Sequence, residues 1–189
     1  FTRLNKEVIF FTAIGVHEVA GSHPKFGRID TTLYKQYAES DLRKTAFFRS
    51  VRDGFQFKGM YSNNANSPFT GIATDEMYLT KAECAVRMGK IDEGMKDLNL
   101  LLENRFKTGS YVPMLITDST AALDTILIER RKELVMRALR WIDIKRLNKE
   151  NRQIAPVRII NGELFSLPPN DNRYALPLPS DVINVSGMP

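Results

Sequence analysis

The chain predicts a mainly α fold, and three observations carry that prediction. Between residues 72 and 150 the apolar residues recur three and four positions apart, the period of one helical face. Residues 1–71 are loop-rich, with only short apolar runs, and the tail 168–189 holds five of the nine prolines. The composition, 43% apolar and 26% charged over 189 residues, is that of an ordinary globular chain able to bury one substantial core. The expected organisation is therefore one domain, or part of a larger one. It contains a loop-rich region 1–71, a helical region 72–150 and an extended segment 151–189.

Taken in order, Glu7 to Ala13 is aliphatic and aromatic enough for a strand buried on both sides, ended by Gly15. His17 to Asp30 carries Gly21, Ser22, Pro24 and Gly27, which is loop chemistry. Thr31 and Thr32 can cap a short helix bearing Leu33, Tyr34 and Tyr37. Phe55 to Tyr61 alternates as a strand does, and the Ser62–Pro68 run, rich in Asn and Ser, is an exposed turn.

Asp75 can cap a helix running to about Met88, where Gly89 stops it, and Asp92 opens a second helix to about Asn104. Ala82, Gly89, Gly94 and Leu98 then follow the tetratricopeptide pattern, in which small residues let two helices approach closely. One hairpin cannot cover its own apolar faces and needs a neighbour. The 121–147 stretch supplies one as a single long amphipathic helix. Leu123, Leu127, Leu134, Ala138 and Ile142 form its stripe, widened by Val135 and Leu139, with Trp141 expected to be buried near the hairpin. Most charges fall off that stripe. Glu133 with Arg137, Arg140 with Asp143 and Asp143 with Arg146 stand three or four apart, each pair adding ~0.2–0.5 kcal/mol. Beyond Lys149, Val157–Ile160 and Glu163–Leu167 flank Asn161-Gly162 as a β-hairpin.

These residues carry a family resemblance. Leu127 to Leu134, with Glu129-Arg130-Arg131-Lys132-Glu133 at its centre, and Arg140-Trp141-Ile142-Asp143-Ile144-Lys145-Arg146 resemble the two halves of a motif of the SusD/RagB family, outer-membrane lipoproteins that bind nutrients. Between the halves the family commonly has Phe-Glu-Gly, and here stand Met136-Arg137-Ala138, a change that suits a continuous helix and loses one acidic partner. In the same order, Asn5–Phe10 is similar to the strand that opens this part of the family, and Ser40–Arg43 to its Asp-x-Arg turn. Asp75–Glu83 resembles its Glu-x-Tyr-Leu-x-x-Ala-Glu helix, and Arg173–Pro179 its Leu-Pro-Ile-Pro segment.

The resemblance implies that this is the C-terminal part of a longer lipoprotein whose anchoring cysteine stands outside the chain. It also implies a surface location on the outer membrane, with a SusC-like TonB-dependent transporter as partner and an oligosaccharide or other nutrient as ligand. Cys84, the sole cysteine, sits inside a helical pattern and reads as a small buried thiol. No apolar run approaches the ~20 residues that would span a bilayer, so any membrane contact would come through that anchor.

Other function classes have weaker signals. The 27 Lys and Arg against 22 Asp and Glu give a charge of +5, but the basic stretch 130–152 is interleaved with acids, which speaks against nucleic acid. His17 and His23 have no metal-ligand spacing, no phosphate-binding glycine loop follows a strand, and no motif fixes a pair of acids across a sugar. Neither an enzyme, a cofactor nor a metal site is expected. Glutamate and arginine residues 129, 130, 133 and 140 with Asp143 read as charge partners within the fold.

Sugar binding needs a flat aromatic face and short polar side chains on exposed loops. Phe26, Tyr34, Tyr61, Asn63 and Asn64 supply these; core packing is the alternative for each aromatic, and for Tyr34 and Tyr61 the favoured one. In the family the region between the first strand and the Asp-x-Arg turn often contributes ligand residues. Here it spans only about Thr12 to Glu39, which implies a shallow or partial site. The competing reading is a tetratricopeptide-like protein–protein interaction scaffold. A glycoside hydrolase subunit is a third, and it would require turnover.

Overall fold

A computed structural model describes residues 5–15, 27–64 and 67–187. The chain divides into two compact units, Phe1–Ala138 and Leu139–Pro189.

The first unit begins with β1 (Val8–Phe10), paired antiparallel with the two residues of β4 (Ile72–Ala73). The expected strand from Glu7 to Ala13 is shortened because its partner is only two residues long, and it is not buried on both sides: Ile9 and Phe10 are each 59% exposed. Gly71 is needed beside it, since a Cβ there would meet the Phe10 carbonyl oxygen at 2.0 Å.

Helix α1 (Thr31–Tyr34) is capped by Asp30, whose carboxylate accepts the Thr32 N–H at 2.8 Å. The threonines expected to cap it, Thr31 and Thr32, are instead its first two residues. Helix α2 (Leu42–Phe47) is capped by Asp41 in the same way. It runs into a hairpin of β2 (Phe48–Val51) and β3 (Gly54–Phe57), in register from Phe48 opposite Phe57 to Val51 opposite Gly54. Leu33, Tyr37, Phe47, Phe48, Phe57 and Met60 form one aromatic-rich core, while Tyr61, Phe69 and Ala73 form another.

Helices α3 (Thr74–Arg87) and α4 (Ile91–Glu103) make the expected αα-hairpin. The turn is a Schellman motif: Gly89 is left-handed at φ 78°, its N–H donates to the Val86 carbonyl, and that of Lys90 donates to the Ala85 carbonyl. Asp75 is not the cap expected of it: it lies in the first turn, where its carboxylate accepts the adjacent Glu76 N–H at 2.7 Å, and the residue before α3, Ala73, offers no side-chain cap. A Cβ on Gly94 would stand 2.6 Å from Val86 Cγ2 and 2.8 Å from the Ala82 carbonyl oxygen, so this glycine sets how closely the helices approach. Cys84 is exposed on α3, so the buried-thiol reading fails: at this position the hairpin faces outward.

Helix α5 (Ser119–Glu133) packs on both hairpin helices and is capped by Asp118. The expected single helix over 121–147 does not form. Met136 and Ala138, both at φ 60°, break it before α6 (Arg140–Lys149). The inward face is also rotated by one residue from the expected stripe. Ala122, Ile126, Glu129, Arg130 and Glu133 are buried; of the expected stripe Leu134 is buried, Leu123 and Leu127 are half-buried, Ala138 is exposed and Ile142 is 60% exposed. Buried charge has replaced leucine on this face.

In the second unit, α6 is followed by a hairpin of β5 (Val157–Ile160) and β6 (Glu163–Ser166). Asn161 and Gly162 both have positive φ, as a two-residue type I′ turn requires. A 3₁₀ turn (Asn172–Tyr174) and α7 (Ser180–Ser186) complete it. Trp141 is not buried as expected. It is 42% exposed, with its ring centroid 4.9 Å from that of Tyr174. Among the described residues no helix is long and apolar enough to cross a membrane.

Candidate functional site

The most elaborate polar chemistry of the first unit is internal. Asp41 caps α2 and also grips Arg43, two residues on, through Nε at 2.9 Å and Nη2 at 2.7 Å. The same guanidinium reaches across to α5, donating to Glu129 at 2.7 Å and Glu133 at 2.9 Å, and is only 2% exposed. Burial works against the charged form of Arg43. The hydrogen bonds of Asp41 and the charges of Glu133 and Glu129 outweigh it and hold Arg43 firmly protonated. Lys132 joins the same knot, 2.6 Å from Glu129 and 3.4 Å from Asp41. Tyr37 lies beneath both cations and donates its hydroxyl to the Lys132 carbonyl at 2.7 Å.

The second oxygen of Glu133 carries the network onward to Arg105 at 2.7 Å, and Arg105 makes a two-pronged contact with Glu7 at 3.0 Å. Glu7 accepts a short hydrogen bond from the Tyr61 hydroxyl, which lies 3.4 Å from Asp75. Asp75 in turn pairs with Arg137 at 3.2 Å, and Arg137 also donates to the Gly71 carbonyl and lies over the rings of Phe69 and Tyr61. Burial and the charge of Glu133 push Asp75 up to about 6 against the opposing pull of Arg137. Burial, with the Asp75 and Glu7 charges, likewise pushes the Tyr61 hydroxyl well above its ordinary range. This alternation of signs ties α2, α3, α5 and the β1 segment together; most of its donors and acceptors are spent on one another, while Arg137 Nε is buried without a hydrogen-bond partner among the described residues. What the arrangement does chemically is hold the scaffold.

The charge-partner expectation holds for Glu129, Arg130 and Glu133, with partners drawn from other elements. Arg130 lies 3.7 Å from Glu76, and Glu133 and Arg137 do not pair with each other but reach Arg43 and Arg105, and Asp75, respectively. Within α6, Asp143 pairs with Arg146 at 2.9 Å as the spacing predicts.

The sequence-predicted ligand residues are dispersed. Phe26, like His17 and His23, lies outside the described residues. Tyr34 is half-buried, its ring stacked on Phe55 with centroids 3.5 Å apart and Lys44 Nζ 5.2 Å from its centre. Tyr61 is 6% exposed, its ring against Phe69 and its hydroxyl committed to Glu7, so it acts as support rather than as an exposed stacking face. Asn63, left-handed at φ 53°, and Asn64 are exposed. The Asn63 N–H donates to the Met60 carbonyl at 2.9 Å, and Met60 belongs to the core on which Tyr34 packs. Asn63 is thus tied to the core on which Tyr34 packs, the Asn64 N–H donates to Ser62 Oγ at 3.3 Å, and Tyr61 belongs to the other core. Sequence reasoning missed Phe55, the ring beneath Tyr34, although the alternation of β3 placed it on one face.

Two depressions mark the first unit. One of about 320 Å³ is lined by Asn5, Lys6, Glu7, Ala46, Asn104 and Arg105, among others. Another of about 470 Å³ lies between α4 and the 111–117 segment, where Met95, Leu100, Tyr111 and Leu115 contribute apolar walls. Among the described residues no group of three or more His, Cys, Asp or Glu side chains is placed to hold a metal ion.

A model of the SusD family matches residues 27–188. Among solved structures, the fold resembles a SusD-like carbohydrate binding protein from Bacteroides vulgatus at 17% identity and a TM-score of 0.57, covering 85% of this chain and 40% of that one. Two SusD superfamily proteins from Bacteroides fragilis, each 20% identical, match with TM-scores of 0.55 and 0.52. They cover 81% and 75% of this chain, and 34% and 40% of theirs. The chain therefore spans about two-fifths or less of the length of the structures it resembles. No curated protein matches.

Proposed function

The chain belongs to the SusD family, and from that premise we propose that it binds a glycan or similar nutrient without chemical turnover and hands it to a SusC-like TonB-dependent transporter. The protein of which it forms part is a lipoprotein on the outer face of the outer membrane, held by an anchor outside this chain. The single observation that carries this reading is the family match over 27–188, supported by a fold similar to that of a SusD-like carbohydrate binding protein.

The ligand contacts of this part come from the loops before α3. Tyr34, stiffened from behind by Phe55, offers an aromatic surface, and the exposed amides of Asn63 and Asn64 suit sugar hydroxyls. Phe26 is a further candidate. Tyr61 holds the base of these loops through Glu7. A ligand recognised by stacking and amide hydrogen bonds is neutral, and its affinity changes little with salt. Calorimetry of the full-length protein against neutral oligosaccharides at low and high salt tests this. Binding that is insensitive to salt and weakened by Tyr34→Ala and by Asn63→Ala with Asn64→Ala is expected. Steep salt dependence, or affinity unchanged in those variants, overturns the site.

A further inference from the structure

The second unit contains a cavity of about 220 Å³ that the reading above does not use. One wall is a face of α6, where Lys145, Asn148 and Lys149 fall three and four positions apart. The other is the segment from Asn170 to Ala175, with Tyr174 inside it.

The two walls are held rigidly to each other. Asn148 is 1% exposed, its side chain clamps Ile154 through both amide atoms at 2.8 and 2.7 Å, and its carbonyl accepts from Asn170 Nδ2 at 3.1 Å. Asn170 takes the left-handed conformation, φ 59°, that turns the segment back toward α6. Trp141, one turn before Lys145, packs on Tyr174 and fixes that ring. Such a pocket is shaped before any ligand arrives, which reduces the ordering cost of binding.

Its free chemistry is specific. Among the described residues neither Lys145 nor Lys149 has a carboxylate partner, although pairing is common elsewhere on this chain. The one acid on the rim, Asp171, is gripped by Arg173 through two hydrogen bonds of 2.8 and 2.9 Å, so its charge is already answered. With Asn170 Nδ2 spent on Asn148, the Asn170 Oδ1 atom and the Asn172 side chain are left to meet hydroxyl groups. At this volume, below the ~300–1,000 Å³ of drug-sized sites, the cavity admits one ring-sized group.

We propose that this cavity is a subsite for a single acidic sugar residue, its anionic group held between Lys145 and Lys149 and its hydroxyls by Asn170 and Asn172. The proposal rests on the glycan-binding reading, extends it to charged glycans, and places a contact in the C-terminal unit. Two ammonium groups act as point charges with no fixed fork, so a carboxylate and a sulfate ester are both within the class.

The test is ligand-observed NMR on the full-length protein with glucuronate, glucose, glucose 6-sulfate and acetate at low and high salt. Wild type and a Lys145→Gln, Lys149→Gln double variant are compared. Both lysines are exposed, so the variant should fold, which its melting temperature checks. The expected result is glucuronate or glucose 6-sulfate bound at least tenfold more tightly than glucose or acetate at low salt. That preference should weaken as salt rises and vanish in the double variant, with neutral oligosaccharide binding unchanged. Acetate bound as tightly as glucuronate, or a preference that survives the double variant, overturns the proposal. If neutral oligosaccharides bind but neither acidic sugar does, this subsite falls and the glycan-binding reading stands. If no glycan binds, both fall.

Discussion

Replacing Ala138 by glycine has opposite effects on stability according to whether the motif region is one helix or two. In the structure Ala138 is exposed and left-handed at φ 60°, in the turn that separates α5 from α6. An L-residue with a Cβ in that conformation costs roughly 1–2 kcal/mol, which glycine does not incur. Glycine also widens the unfolded ensemble, which offsets about 0.4–1 kcal/mol of the gain. Because the side chain is exposed, no packing changes, and the net expectation for Ala138→Gly is a stabilisation of about 0.5–1 kcal/mol. For a chain of this size that raises the melting temperature by roughly 1–4 °C. Had 121–147 been one helix, the same change would lower stability by about 1 kcal/mol. Thermal unfolding followed by circular dichroism reads the sign. A lower melting temperature for the glycine variant would refute the left-handed turn and the reasoning built on it.

Three further outcomes follow from the buried contacts. Arg43→Ala leaves Asp41, Glu129 and Glu133 facing one another without their shared cation and should cost about 3–5 kcal/mol by denaturant unfolding; a loss under 1 kcal/mol would contradict the network. Gly94→Ala drives a Cβ into Val86 and the Ala82 carbonyl and should cost about 1–3 kcal/mol, whereas an unchanged midpoint would mean the hairpin is looser than described. Asp75, raised to about 6 by burial and Glu133, takes up a proton in the folded state more readily than in the unfolded one. Its contribution therefore makes the protein gain stability as pH falls from about 7 to about 4, with nothing further gained below the unfolded value near 3.9. A urea series over that range should show this slope in wild type and lose it in Asp75→Asn; an identical slope in both would exclude Asp75 as its source.

The α3–α4 hairpin was legible because its signals are local: Gly89 ends one helix and the small residues Ala82 and Gly94 permit close approach. The β5–β6 hairpin was legible for the same reason, through Asn161-Gly162. The α5–α6 break was not, since Met136-Arg137-Ala138 contains neither glycine nor proline. Its left-handed residues flank Arg137, which is held by Asp75, 62 residues away, and by Gly71. The inward charged face of α5 escaped for a related reason. Glu129 and Glu133 looked like a solvated surface because their partner Arg43 lies 86 and 90 residues earlier in the chain. Of the proposed ligand residues, periodicity could not separate exposed from supporting aromatics, and Tyr61 turned out to be tied down by Glu7.

Binding without turnover is the central claim, and equilibrium dialysis of the full-length protein against a neutral oligosaccharide, followed by mass analysis of the recovered sugar, tests it most directly. The account predicts oligosaccharide concentrated on the protein side and recovered at its original mass after prolonged incubation. No retention of any oligosaccharide, or recovery of shortened products, would contradict it.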